Sequence, residues 1–320
     1  MKVRTSQLVT LLLVAAFTLT GVKTFSAWPQ VLELWAQQAT PAMLIGHPHL
    51  FRYLVAYPGL WLEGNYPGLG FSLYASVFLL LNASLWSGIL RKVNLSSPAL
   101  ITWVVFFAAH FFMNGRGVIA WTAWLLCVSL CLDLSRVAAA VRLPVLRAAL
   151  ACFLATVSTG IFIVVLVAIS WFVVGRWRAG GIRLRSLKGL FLLVLLTPCV
   201  YVFASYFIVA VEKNLDFYGG GVLGALNMLE HGLGRVFFSA GGLGTALALL
   251  VVPVAMVVTV VLMLGPPIRP IRKLLIIAVG GGMFGFTVLT LAIPLVLCEL
   301  DGGKRRFARF IGLRDTLQKV

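Results

Sequence analysis

The chain has 320 residues, 61% of them hydrophobic and 11% charged, with a mean hydropathy of +1.03. Water-soluble domains run nearer ~45–50% apolar and ~25% charged, so the composition excludes a soluble globular protein and the length is better counted in membrane spans of ~20 residues. Lys and Arg total 26 against 9 Asp and Glu, a net charge of +17; these cations fall mainly in short connectors between apolar blocks, so they read as cytoplasmic orientation signals, and nucleic acid is not an expected partner.

In chain order, Lys2 and Arg4 precede the apolar run Leu8 to Val22, which reads as an uncleaved signal anchor. Residues 28–68 are expected to form a first outside loop, interrupted by Pro29, Pro41, Pro48, Pro58 and Pro67. A short interfacial helix is expected at Trp28 to Gln38, where the Trp residues suit the headgroup boundary. Leu69 to Leu90 spans and ends on Arg91 and Lys92. Leu100 to Met113 and Val118 to Leu134 are two more spans, joined by the outer turn Asn114-Gly115-Arg116-Gly117.

Arg136, Arg142 and Arg147 return the chain to the inside. The next block, Ala148 to Val174, is 27 residues long, with Arg147 on one flank and Arg176 and Arg178 on the other. A single crossing would leave one basic flank outside, whereas a pair of short limbs broken near Ser158-Thr159-Gly160 keeps both inside. Gly189 to Val211 then crosses outward to a second outside loop, 212–242, holding Glu212, Asp216, Glu230, His231 and Arg235. Leu243 to Leu264 returns and Leu274 to Cys298 is the last span. The alternation puts 15 basic residues inside and 5 outside, and it leaves the six of the basic tail, 301–320, on the outer side against the charge rule, so the side of the tail stays open. The expected fold is an all-α polytopic bundle, one membrane domain of about eight or nine passes in a bacterial inner membrane.

The five cysteines, Cys127, Cys131, Cys152, Cys199 and Cys298, lie in or beside apolar runs and imply no disulfide framework. Cys127 and Cys131 share a helix face but lack the partners of a metal set, as do His47 and His49, so neither metal nor cofactor is expected. There is no Walker-type loop, nucleophile elbow or metalloprotease helix.

Ionisable groups at span ends are functional candidates because burying them in a bilayer is costly. Arg116 stands in a turn too short to leave the membrane surface, and its planar guanidinium suits phosphate; the alternative is that it snorkels to headgroups. Asn114 and His110 are one helical turn apart and can face one cavity, although His110 can equally be a packing residue. Arg52 and Tyr66 share the first loop with Glu63. Glu63 or His231 could deprotonate a hydroxyl, with simple loop solvation the competing reading for each. Asp133 is accounted for by a local pair with Arg136.

Phe51-Arg52-Tyr53, Glu63-Gly64-Asn65-Tyr66 and Phe111-Phe112-Met113-Asn114-Gly115-Arg116-Gly117-Val118-Ile119-Ala120 together resemble the EpsG-like branch of the Wzy-type bacterial polysaccharide polymerases over Phe51 to Val174. That family has an acidic-x-x-aromatic entry to a membrane helix and an outer turn bearing an arginine. The chain departs from it at Gly117, where the family usually has Gln, and at Ser158 and Thr159, where it usually has His, so no break-point histidine role carries over. The resemblance implies a glycosyltransferase making O-antigen or exopolysaccharide from polyprenyl-diphosphate-linked glycan, working with other polysaccharide-assembly proteins. Arg116 and Arg52 would hold the diphosphate, and Glu63 or His231 would serve as base. A transporter or flippase of a lipid-linked or anionic solute, or a non-catalytic membrane subunit, are the alternatives.

Overall fold

The computed structural model describes residues 29–45, 49–93, 100–111, 113–136, 144–178, 215–234, 269–282 and 290–299, with scattered single positions elsewhere. Among the described residues every regular element is a helix: α1 (Pro29–Ala36), α2 (Pro41–Leu44), α3 (Leu50–Asn65), α4 (Gly70–Lys92), α5 (Leu100–Phe111), α6 (Gly115–Leu134), α7 (Pro144–Ala155), α8 (Thr159–Arg178), α9 (Gly221–Gly234), α10 (Pro270–Gly281) and a last helix, α11, over residues 292–299. Three of them, Gly70–Lys92, Gly115–Leu134 and Thr159–Arg176, are long and apolar enough to cross a membrane.

The centre of the bundle is α6. Its apolar residues carry no polar face, so it is stable only when surrounded, and 89% of its span is buried, with α4, α7, α8 and α10 packed around it. Asn114 starts this helix by accepting the Gly117 N–H on its side chain at 2.9 Å. Trp121 and Trp124 donate their indole N–H groups to Thr290 Oγ1 (3.3 Å) and to the Leu291 carbonyl (2.9 Å), which ties the chain entering α11 to α6.

Helices α3 and α4 form an antiparallel hairpin. The Glu63 carboxylate accepts the N–H groups of Gly68 (2.6 Å) and Phe71 (2.9 Å), satisfying the start of α4 where Leu69 offers no side-chain cap. At Gly70 a β-carbon would overlap the Leu62–Glu63 backbone, so the turn closes only with glycine there. Lower in the hairpin the Tyr74 hydroxyl donates to the Val55 carbonyl at 2.5 Å.

At the opposite end, α4, α6, α7 and α8 meet at one carboxylate. Asp133 Oδ2 accepts from Lys92 Nζ (2.8 Å) and Arg147 Nη1 (2.7 Å), and Ser129 Oγ accepts from both cations. Arg176 donates to the Asp133, Leu134 and Arg136 carbonyls, the unsatisfied C-terminal end of α6. Arg147 begins α7 and Arg176 ends α8, so both flanks of the 148–174 block return to this same basic end.

Several expectations are corrected. The break falls at Thr156–Ser158, next to the expected Ser158–Gly160, but the limbs are unequal: α7 has 12 residues and α8 has 20. Of the span expected at Leu100 to Met113 the described part is the helix Leu100–Phe111, with 94–99 and 112 outside the described residues. The stretch Leu50–Asn65, expected within a loop, is a helix packed on α4, and Gly221–Gly234 in the second loop is also helical. Asp133 bonds to Lys92 and Arg147 from other helices in place of a local pair with Arg136. Leu274 to Cys298 is occupied by α10 and α11 as separate pieces, with 283–287 between them outside the described residues. Nearly all of Leu8 to Val22, most of Gly189 to Val211, Leu243 to Leu264 and the tail 301–320 also lie outside the described residues.

Candidate functional site

Hydrogen bonds between helices fix how far each reaches. Asn82 donates to the Val118 carbonyl at 3.0 Å; Asn82 is twelve residues into α4 while Val118 is only three into α6, so at 1.5 Å per residue α6 begins about 13 Å deeper than α4. The N-terminus of α6, with Asn114 and Arg116, is therefore recessed below the α3–α4 turn. The antiparallel register of α3 on α4 is set by the Tyr74–Val55 and Glu63–Phe71 bonds. It puts Arg52 level with the part of α4 around Leu79 and Leu80, the depth that the parallel register of α6 assigns to Arg116. Two arginines from separate helices thus share one depth to within about a helical turn, or ~5 Å.

Arg52 occupies the packing face of α3: it is one turn from Ala56 and two from Gly59, both buried against α4, and is itself half-buried. Arg116 is likewise half-buried. The tip of the α7–α8 hairpin approaches the same region. Cys127 Sγ lies 3.8 Å from the Val165 carbonyl, which sets the Thr156–Ser158 break level with Val118 to Ala120, about 3–6 Å beneath Arg116. On the other flank Phe51 meets Phe153 edge-on at 6.3 Å, joining the start of α3 to the end of α7.

His49 precedes α3 by one residue. Burial, reinforced by the Arg52 cation and then by His47 and Lys213, lowers its pKa from 6.5 to about 4. His47 is lowered as well, by burial and by Lys213, with Glu33 opposing. For both histidines burial is the main cause, and cations add to it, Lys213 for both and Arg52 for His49. The sequence offers His49 only as a metal ligand, and among the described residues no group of three or more His, Cys, Asp or Glu could hold a metal.

The other candidates stand elsewhere. Glu63 is eleven residues along α3 from Arg52, about 16 Å, and both its oxygens accept backbone N–H groups. Tyr66, 56% exposed, ends α3 at the same outer turn. Asn114 uses its side-chain oxygen to cap α6. His110 is fully buried: its Nδ1 donates to the Phe106 carbonyl (2.8 Å) and its Nε2 accepts from Asn82 Nδ2 (3.0 Å), the tautomer those two partners require. It lies against Phe106 and Trp121, each with ring centroids 4.7 Å away, beneath the recess. His231 is on α9, and its side chain is outside the described residues.

Asn82 is the residue the sequence reading passed over. It is 0% exposed and its amide joins α4 to α5 through His110 and to α6 through Val118. The only signal in the sequence is a lone amide inside the apolar run Leu79 to Leu85, which does not say what it bonds. No family model, curated protein or solved structure matches the chain.

Proposed function

We propose that the chain is a membrane glycosyltransferase that polymerises polyprenyl-diphosphate-linked oligosaccharide units at the outer face of a bacterial inner membrane. The observation that carries this reading is the placement of Arg52 and Arg116, on separate helices, at one depth about 13 Å below the outer end of α4. A lipid-linked substrate carries a diphosphate, and once it is drawn below the membrane boundary to that depth the two guanidinium groups would neutralise the charge that develops as it leaves. The acceptor hydroxyl attacks the anomeric carbon, the bond from that carbon to the diphosphate oxygen breaks, and polyprenyl diphosphate departs with the bonding electrons. The acceptor proton passes to a base. The sequence offers Glu63 and His231 for that base; Glu63 is already engaged by two backbone N–H groups and lies about 16 Å from Arg52 along α3.

A second reading, a transporter of a lipid-linked or anionic solute, draws on the re-entrant hairpin α7–α8, since broken helices are how transporters place polar backbone at membrane depth. One experiment separates the two. Surface-polysaccharide chain length is measured by gel in a deletion strain complemented with wild type, Arg116→Ala or Arg52→Ala at equal membrane abundance. The polymerase reading expects single repeat units in the deletion strain and a loss of polymer synthesis of about 100-fold with Arg116→Ala, the scale of removing one preorganised charge-stabilising donor. Unchanged polymer in the deletion strain rejects it, and loss of exported single units together with polymer favours transport.

A further inference from the structure

At the basic end a cavity of about 330 Å³ opens between the ends of α4, α6, α10 and α11, lined among others by Lys92, Ser135, Arg136, Arg269, Cys298 and Glu299. The volume is at the lower end for small-ligand sites and accommodates a phosphate group with a small substituent. Charge accounting shows what is left over. Eight cations stand at this end, Arg91, Lys92, Arg136, Arg147, Arg176, Arg269, Arg272 and Lys273, against two carboxylates, Asp133 and Glu299, a surplus of six positive charges among the described residues. Both carboxylates are already committed, Asp133 to Lys92 and Arg147 and Glu299 to Arg272 at 3.0 Å.

Part of the surplus serves the helix ends, because Arg176 donates to three carbonyls at and just beyond the end of α6 and one nitrogen of Arg136 donates to the Lys92 carbonyl. Arg269 is different. It is exposed, its side chain makes no hydrogen bond among the described residues, and it stands at the start of α10, whose first turn has no acidic residue and no side-chain cap. The positive end of a 12-residue helix therefore faces the same cavity as Arg136 and Arg269.

We propose that this cavity binds a phosphate group entering from the basic side, a site separate from the recess at the other end and independent of the function proposed above. Arg136 and Arg269 supply the charge-assisted donors, and the start of α10 adds the Ile271 N–H, since Pro270 has none and those of Arg272 and Lys273 donate to the Arg269 carbonyl. The group is either the headgroup phosphate of an anionic phospholipid or a phosphate carried by a soluble molecule. The test is thermal unfolding of the full chain in neutral detergent, titrated with phosphatidylglycerol in mixed micelles, with phosphatidylcholine, or with inorganic phosphate.

The expected result is a saturable rise in midpoint with one of the two anionic probes and none with phosphatidylcholine. Half-effect should shift upward about tenfold in Arg136→Gln/Arg269→Gln, while Arg91→Gln, an exposed cation of the same end that does not line the cavity, should behave as wild type. A response to phosphatidylglycerol alone assigns the site to a lipid headgroup, and a response to inorganic phosphate assigns it to a soluble ligand. No response to either, or equal loss in Arg91→Gln, overturns the proposal. If the double variant does not fold, Arg269→Glu provides the same comparison without disturbing any hydrogen bond among the described residues.

Discussion

Asn82 and His49 show how single polar residues behave in so apolar a chain. Asn82 supplies donors to a histidine and a carbonyl that have no route to bulk water, and truncating it leaves both buried without that donor. Asn82→Ala should therefore destabilise the protein by about 2–3 kcal/mol in detergent unfolding, whereas Ser135→Ala, whose hydroxyl donates to the Leu132 carbonyl three residues back, should cost under about 1 kcal/mol. His49 makes a pH prediction. Its folded pKa of about 4 is below the unfolded value of 6.5, so the unfolded chain binds the proton more readily. Its contribution is complete above pH 6.5, falls as the pH drops between 6.5 and 4, and is gone below 4. The loss should be on the order of 1–2 kcal/mol once solvent screening of a half-buried group is allowed for, and unfolding of His49→Gln across that window should lack it.

Among the elements, the Asp133 cluster joins the most helices. Lys92, Arg147 and Asp133 have side chains 24%, 22% and 21% exposed, so the ion pairs are largely desolvated. Asp133→Asn would leave two cations facing one another and should destabilise by about 2–3 kcal/mol, less than the 3–5 expected for a wholly buried pair. Raising salt should narrow the difference from wild type only slightly, which distinguishes this cluster from a surface pair.

The same elements show where the sequence was legible. The Ser-Thr-Gly interruption between two basic flanks identified the hairpin, because charge sidedness is a constraint on whole segments. Arg147 and Arg176 meet at one end of the bundle, as their flanking positions imply, whereas spacing alone pairs Asp133 with the wrong arginine. Sequence spacing reports only neighbours within one helix, and the true partners are 41 and 14 residues away. Prolines at 48, 58 and 67 made α3 look like loop. It is a helix nonetheless, because Tyr53, Ala56, Gly59 and Leu60 can be buried against α4 and packing outweighs the bond lost at Pro58. Of the candidate site, the residue types of Arg52 and Arg116 were legible but their common depth was not, since it follows from two inter-helix registers. Glu63 looked catalytic because its role in closing the α3–α4 turn depends on backbone amides that composition does not reveal.

At the scale of the whole molecule, the described helices define two unlike ends. One holds the α3–α4 turn, with Glu63 and Tyr66; the other gathers Lys92, Arg136, Arg147 and Arg176. In a background free of native cysteines, single cysteines at Leu146 and Val174 should both react with a membrane-impermeant maleimide applied to the cytoplasmic side, and one at Tyr66 only from the outer side. Opposite reactivity at Leu146 and Val174 would mean that α7 and α8 together make one crossing.

The hairpin of α7 and α8 leaves the basic end and comes back to it, so its net contribution to the parity of the chain is zero. Removing residues 144–178 as a block would take away packing for α6 but would not invert anything downstream, whereas losing one of the single spans α4 or α6 would turn every later segment over. An insertion or deletion of the whole hairpin is thus the kind of change such a chain can undergo while both faces keep their identities.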